Sequence, residues 1–549
     1  MAIVEFRKAD LERLVGRKLT DRDYRERIPM LGCPLEKIDR ESVWFEIFPD
    51  RPDMLSLEGF ARAVKHFLDI EKPKISYDLI WEGKELKVEK VRARPEIVAG
   101  IVRGIKLTDD LISSLMQVQE KIHETLGRGR KKVAIGIHDL DKIEWPLLYC
   151  EAGPDSISFV PLGDRKEMTL REICQAHPKG MAYGGILKES KKWPVILDSH
   201  GRVISFPPII NSELTKVTQK TRNLFIDITG THLPTLEATL NILMTSFWER
   251  GCRLEAVRVG KRIYPDLNPR KLRLDLRYAN KLLDLDLKPW ELKPLLERMG
   301  LGYENGMVII PPYRIDIMHQ IDLVEELAIA YGYHNFEPKI PQIPTLAKRL
   351  ERNEVIDRMR DLLAGFGFQE IMGAILTNEE NEFEKMERPA IPCCETLNPL
   401  SSECTICRTS LLPSILKAFS QNKHNPYPQK IFEIGDILLL NPKAETGTEV
   451  RKRLSAAISD ERINYSDLAA VLRGFMHAFG LDFSLRAVGE KAFIPGRTAA
   501  VFCRKVRIGT IGEIHPAILK KWDLEMPVVA MEIDLENILS YLTSQPQSL

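Results

Sequence analysis

A chain of 549 residues with 79 Lys+Arg against 78 Asp+Glu carries a formal charge of +1, so bulk positive charge is excluded as a source of nucleic-acid binding. With 44% hydrophobic and 29% charged residues, global disorder and fibrous architecture are excluded as well. One core rarely serves so long a chain, and about three or four domains are expected. No run approaches the roughly 18 to 20 apolar residues of a membrane span. The first ten residues carry charge too early for a secretory signal. Nine cysteines, an odd number, fit a reducing compartment better than a disulfide framework. A cytoplasmic, multidomain protein with no membrane partner is expected.

In chain order, residues 1–90 read as a small α/β module. A helix is predicted over 8–15, a strand over 42–48 and a helix over 57–68, and Pro73 to Pro95 reads as a linker. Residues 91–265 have the texture of one α+β domain. The β-branched runs at 97–102 and 133–137 are predicted strands, and 110–125 and 236–250 have helical spacing. Residues 266–342 form a compact, winged-helix-like block. It has strands at 271–276 and 307–310 and helices at 277–283, 289–299 and 322–331. Pro338, Pro341 and Pro344 mark a linker. Residues 343–549 open with a helix over 351–366 and continue with strands such as 430–434. The sequence shows no internal repeat.

The sharpest constellation of chemistry-bearing residues is acidic. Asp322 opens a predicted helix, Glu325 and Glu326 project near it on the first turn, and Asp316 can fold back onto the same face. Four carboxylates that close repel unless a hard cation such as Mg²⁺, or a basic partner, holds them. A capping box from Asp322 to Glu325 explains the same spacing, and on spacing alone it is slightly ahead. Asn211, Asp227 and Thr229 fall at strand ends and adjoining loops, a usual place for small-ligand contacts. Turn and capping chemistry accounts for them more simply. His138-Asp139-Leu140-Asp141 reads as a turn, although such a group can polarise water. The basic run at 128–132 suits either phosphate or a solvated turn. Cys393-Cys394 with Cys404 and Cys407 lacks a standard zinc-knuckle spacing, so ordinary thiols are expected. Walker, GxGxxG, HExxH and GxSxG motifs are absent from the sequence.

Several separated segments resemble one family, the β subunits of phenylalanine–tRNA ligase (phenylalanyl-tRNA synthetase) of the archaeal and eukaryotic-like type. They are Phe48-Pro49-Asp50-Arg51-Pro52-Asp53-Met54-Leu55-Ser56, residues 208–230, residues 312–333, Arg408-Thr409-Ser410-Leu411-Leu412-Pro413, Phe432-Glu433-Ile434-Gly435-Asp436 and Pro495-Gly496-Arg497, in the family's order. The resemblance implies an α+β multidomain fold. Its parts would be an N-terminal module at 1–90, a B3/B4-type editing domain at 91–265, a winged-helix-like B5-type domain at 266–342 and a degenerate class II synthetase-like antiparallel α/β domain at 343–549. Degeneracy is expected because Arg497 lacks a preceding Gly-x-Gly-x-Gly run.

By the same resemblance, ATP and phenylalanine are activated mainly on a separate α subunit, in a heterotetramer of two α and two β chains that binds tRNA. Mg²⁺ is assigned to Asp316, Asp322, Glu325 and Glu326. Hydrolytic editing of tyrosyl-tRNA is assigned to Ser205, Asn211, Asp227 and Thr229, with Leu197 as a pocket wall. Asp227 would meet the phenol hydroxyl and Asn211 would orient water or the ester. No general base stands out, which points to water activated by substrate hydroxyls. The alternatives are a free-standing deacylase of mischarged tRNA and a non-catalytic nucleic-acid-binding scaffold built on the winged-helix-like block. Against the scaffold, residues 289–299 have mixed charge and lack the base-reading side chains of a recognition helix.

Overall fold

The computed structural model of the chain describes residues 2–544, which gather into two compact units, 1–340 and 341–549. The first unit starts with a three-stranded sheet in which Ser42–Ile47 pairs with both Ala2–Arg7 and Leu35–Ile38. Strict alternation of buried and exposed residues along Ala2–Arg7 puts one face on the helices. There Phe60 stacks on Phe6 with centroids 4.4 Å apart and lies 4.9 Å from Phe45. Ser56 caps the helix Leu57–Phe67, and its hydroxyl lies 3.0 Å from that of Ser246 on the helix Leu233–Trp248. That contact ties the opening module to the neighbouring domain.

A ten-stranded sheet forms the middle of this unit. Its strands Leu79–Val88, Arg253–Val259, Glu96–Arg103, Asn223–Gly230 and Val133–Asp139 lie side by side in that order, with Val133–Asp139 at the edge. The segment read as a linker supplies Leu79–Val88, which runs parallel to both Arg253–Val259 and Leu147–Ala152. Only Leu86 of that strand is fully buried, so its charged side chains stand outward and the apolar alternation that announces a strand is missing.

The remaining block of the first unit has a sheet of Arg270–Arg273, Met307–Ile310 and Gly302–Glu304, packed by helices Leu276–Leu283, Pro289–Arg298 and Gln320–Tyr331. The predicted strand at 271–276 stops early because Asp275 accepts from the Arg277 N–H at 2.9 Å and starts the next helix. One contiguous core runs from Val4 and Phe45 through Ile226 and Met244 to Leu323 and Leu327.

The second unit is built on a seven-stranded sheet in the order Gln369–Glu370, Gln429–Leu440, Thr448–Ser459, Val528–Asp534, Val506–Ile514, Phe493–Cys503 and Phe483–Ala487. All pairs are antiparallel except the first. Helices cover both faces. Along Val528–Asp534, Val529, Met531 and Ile533 feed the core under Glu351–Gly365 and Tyr465–Ala478, while Val528 and Ala530 feed the core under Leu412–Gln421. That is the period-two signature of a sheet buried on both sides.

Candidate functional site

A cavity of about 620 Å³ opens in the first unit between the helix Asp109–Glu124, the edge strand Val133–Asp139, the turn at 206–209 and the strand Asn223–Gly230. Much of its wall is apolar, from Ile112, Leu115, Met116, Ile135, Ile137, Phe206 and Val217. Asp227 enters it because the register sets this residue directly opposite Gly136. A Cβ on Gly136 would lie 2.2 Å from Asp227 Oδ1 and 2.8 Å from His138 Nε2, so only glycine leaves the carboxylate its place. His138, two residues on, shares the face of Gly136. Its Nε2 lies 2.8 Å from Asp227 Oδ1 and its Nδ1 2.8 Å from Thr215 Oγ1. All three side chains are withdrawn from solvent.

Of the residues singled out by resemblance, Ser205, Asn211 and Asp227 line this cavity. The Ser205 hydroxyl donates to Asn211 Oδ1 at 3.0 Å, and Asn211 Nδ2 reaches the Ile137 carbonyl at 3.4 Å. Thr229 lies behind the wall. Its hydroxyl accepts from Arg94 Nε at 3.2 Å and its carbonyl from a second Arg94 nitrogen at 2.5 Å. Leu197 sits on the strand Trp193–Leu197, which belongs to the same sheet but contributes no residue to the lining. Arg94 also donates to the carbonyls of Arg130 and Lys131, at 3.0 and 3.3 Å. Burial pushes its guanidinium down to about 10, against the opposing pull of Tyr149 and Asp227.

Of the other residues that build this site, Arg94, Gly136 and Thr215 carried no functional signal in the sequence, while His138 was read into a turn and Arg130 into a basic run. The turn expected at 138–141 exists, as a short 3₁₀ segment Leu140–Lys142 capped by Asp139, but His138 is still on the strand. Counting the alternation from Val133 would have set His138 on the face of Gly136. Arg130 does not behave as part of a solvated basic turn. It donates to the carbonyls of Pro208 and Ile209 at 3.2 and 3.1 Å and to Glu120 at 2.7 Å, and it stacks on Tyr183. It therefore braces the turn that walls the cavity.

The acidic quartet is organised around a buried arginine. Asp316 meets Arg314 through both carboxylate oxygens, with a shortest contact of 2.6 Å, and Glu326 Oε1 lies 2.7 Å from the same guanidinium. Burial would raise the Asp316 carboxyl, but Arg314 outweighs it and holds the group below its ordinary range. Asp322 accepts from the N–H groups of Met318 and His319 at 2.7 and 2.8 Å. The helix thus starts at Gln320 with Asp322 as its third residue, and the capping partner of Asp322 is the His319 backbone rather than Glu325. Glu325 is pushed up by burial and then by Glu326, Asp50, Asp322 and Asp316. Among the described residues no three His, Cys, Asp or Glu side chains gather at metal-holding distances. The oxygens left over are those of Glu325, the Oδ1 of Asp322 and the Oε2 of Glu326, the last buried without a hydrogen-bond partner.

In the second unit a cavity of about 600 Å³ lies over the sheet, and its arginines and carboxylates are paired within the chain, while Lys491 is without an ion-pair partner among the described residues. Arg453 pairs with Glu532 Oε1 at 2.5 Å, Arg507 pairs with Glu490, and Glu532 Oε2 accepts from the Ser410 hydroxyl and from the N–H groups of Leu411 and Leu412. Arg497, outside this lining, is paired with Glu513 at 2.6 Å.

Residues 86–259 match the B3/4 domain, residues 272–333 the tRNA synthetase B5 domain and residues 337–535 the phenylalanyl tRNA synthetase beta chain CLM domain. Fold, site and domain set define the chain as a subunit of an aminoacyl-tRNA synthetase. It is 42% identical to the phenylalanine–tRNA ligase β subunit of Archaeoglobus fulgidus, over 97% of this chain and 98% of that protein. The β subunit of Methanocaldococcus jannaschii is 41% identical over 98% of this chain and 100% of its own. A crystal structure of an N-terminal fragment of the phenylalanyl-tRNA synthetase β subunit from Pyrococcus horikoshii superposes with a TM-score of 0.58 at 40% identity, covering 60% of this chain and all of that one. The chain belongs to the family of phenylalanine–tRNA ligase β subunits. A β subunit implies an α partner and a tRNA substrate. No helix among the described residues is long and apolar enough to cross a membrane.

Proposed function

We propose that the cavity containing Asp227 hydrolyses tyrosine from mischarged tRNA, while the holoenzyme, two α and two β chains in the cytoplasm, attaches phenylalanine to tRNA at the expense of ATP. The observation that carries this reading is a buried carboxylate, Asp227, presented into a largely apolar cavity whose other carboxylate, Glu120, is paired with Arg130 and Lys179. A pocket built for phenylalanine rejects tyrosine by only about 10²-fold, because one added hydroxyl is the whole difference. A second site that pairs the phenol discriminates in the other direction. Tyrosine donates its hydroxyl to Asp227, whereas phenylalanine leaves the carboxylate's second oxygen desolvated and unpaired, at a cost of about 1–3 kcal/mol. Asn211 and Ser205 lie on the cavity wall where they can hold the ester carbonyl or the attacking water. Water adds to the ester carbon, the ribose oxygen leaves with a proton, and free tyrosine departs.

Residues 341–549 support a degenerate class II synthetase module, a largely antiparallel sheet on which Arg451, Arg453, Arg497 and Arg507 are paired with the chain's own carboxylates, so ATP is handled on the α subunit. Met372, Leu397 and Leu400 stand out almost fully exposed on this unit and are proposed to be covered by the α subunit. Mg²⁺, the cation assigned to the acidic quartet, fits only in part. Glu325, Asp322 Oδ1 and Glu326 Oε2 would hold it, and it would relieve the repulsion among the neighbouring carboxylates.

The test is deacylation of tyrosyl-tRNA and phenylalanyl-tRNA by the α–β complex, wild type and Asp227→Ala. Selective loss of tyrosyl-tRNA hydrolysis with phenylalanine charging intact is expected. Unchanged hydrolysis in the variant would move the chemistry elsewhere.

A further inference from the structure

We propose that Thr215 and His138 form a relay that keeps Asp227 a hydrogen-bond acceptor toward the cavity: Thr215 sets the tautomer of His138, and His138 spends its one ring proton on Asp227. This rests on the editing reading above and adds what makes Asp227 selective. Neither relay residue has to touch the reacting atoms, and both are positioning residues.

The proton inventory decides the direction. The Thr215 hydroxyl has one proton and two acceptors within reach, His138 Nδ1 at 2.8 Å and the Ser212 carbonyl at 3.4 Å. The shorter contact is a hydrogen bond of ordinary length and the longer one is marginal, so the proton goes to the imidazole. A neutral imidazole that accepts at Nδ1 carries its own proton on Nε2. That proton points at Asp227 Oδ1, 2.8 Å away. Oδ1 is thereby engaged, while the second oxygen of Asp227, a residue of the cavity lining, meets no protein donor among the described residues. The packing holds the imidazole in this plane. The Phe225 ring lies 5.9 Å away, itself edge-on to Trp145 at 5.5 Å, and Gly136 leaves the gap through which the two side chains meet.

The opposite tautomer has a different consequence. With the proton on Nδ1, donated to Thr215, the Nε2 lone pair would face Asp227, and the carboxyl would have to take up a proton to bridge the gap. A protonated Asp227 has less need of a phenol donor, and the penalty that phenylalanine suffers would shrink. Selectivity for tyrosine therefore depends on the hydroxyl of one threonine of the cavity lining.

The experiment uses the α–β complex carrying Thr215→Val, which keeps shape and removes the donor, and Thr215→Ser, which keeps the donor. In Thr215→Val the ratio of kcat/KM for tyrosyl-tRNA over phenylalanyl-tRNA deacylation is expected to fall about tenfold or more. The change should be carried by a higher KM for tyrosyl-tRNA and a lower one for phenylalanyl-tRNA, with phenylalanine charging unchanged. Thr215→Ser should restore the ratio. In the ¹⁵N-histidine spectrum, with the His138 signal assigned by its disappearance in His138→Gln, the wild-type ring should be protonated at Nε2 and Thr215→Val should shift it toward a mixture. An unchanged ratio, an equal loss for both substrates, or a wild-type ring protonated at Nδ1 would overturn the relay. If wild type fails to hydrolyse tyrosyl-tRNA, the editing reading falls, and the ¹⁵N spectrum still decides the relay.

Discussion

Of the two glycines that line the cavity, Gly136 and Gly163, Gly136 is the one with no room for a side chain. Its neighbour across the register is Asp227, and the Cβ of an alanine would displace that carboxylate or break its contact with His138. Gly136→Ala is expected to lower stability by about 1–3 kcal/mol through overpacking. It should also lower tyrosyl-tRNA hydrolysis sharply while leaving phenylalanine charging intact, as urea denaturation and paired deacylation and charging assays would report. Arg94 carries a different load. Fully buried, it donates to the carbonyls of Arg130, Lys131 and Thr229, so Arg94→Met removes a buried donor from three acceptors at once. A loss of at least about 2 kcal/mol is expected, read as a lower Tm.

At the scale of elements, the cavity depends on how an edge strand is finished. Val133–Asp139 ends the ten-stranded sheet, so the outward backbone groups of Ile135 need partners. The helix Asp109–Glu124 supplies them from its side chains. Gln119 donates to the Ile135 carbonyl at 2.6 Å, and His123 Nε2 accepts from the Ile135 N–H at 2.9 Å. Acceptance requires a neutral imidazole. Burial, then Arg130, Lys179 and Arg94, pushes His123 down to about 3. Burial likewise pushes His66 down to about 3. As pH falls through the unfolded value of about 6.5, the unfolded chain takes up a proton at each of these sites and the folded chain does not. Stability from each group is therefore complete above that pH and is lost on acidification at about 1.4 kcal/mol per pH unit until the folded value is reached. Tm of the chain measured from pH 7 to 5 should fall, and His123→Gln should flatten the slope only in part, because His66 remains.

On the scale of the whole molecule, two units with separate cores predict separate unfolding. The core holding Ile226 and Leu323 lies wholly within 1–340, and those holding Met531 and Ile415 wholly within 341–549. Calorimetry of the isolated chain is expected to show two transitions, with His123→Gln and its pH dependence confined to one. The exposed Met372, Leu397 and Leu400 bear on assembly rather than folding. Replacing Leu397 and Leu400 by Glu should weaken co-sedimentation with the α subunit and leave the far-ultraviolet circular dichroism unchanged.

Local pattern was enough for some of this protein. The helix Lys8–Val15 and the strand Met307–Ile310 have the bounds their periodicity predicts, because each carries its apolar stripe and its stop signals in its own sequence. The ordered segments also carried the family. Other features depended on partners distant in sequence. Leu79–Val88 hid as a linker because its pairing strands supply the order that its own side chains do not advertise. His138 looked like part of a turn until strand register set Gly136 against Asp227 and a loop brought in Thr215. Asp316 and Glu326 are acidic in any reading, but only folding places the buried Arg314 between them. Hydrophobic periodicity is a local property of the chain, and sequence determined the elements that depend on it. Register and charge pairing join residues far apart in sequence, so the orientation and partners of these site residues were decided by tertiary structure.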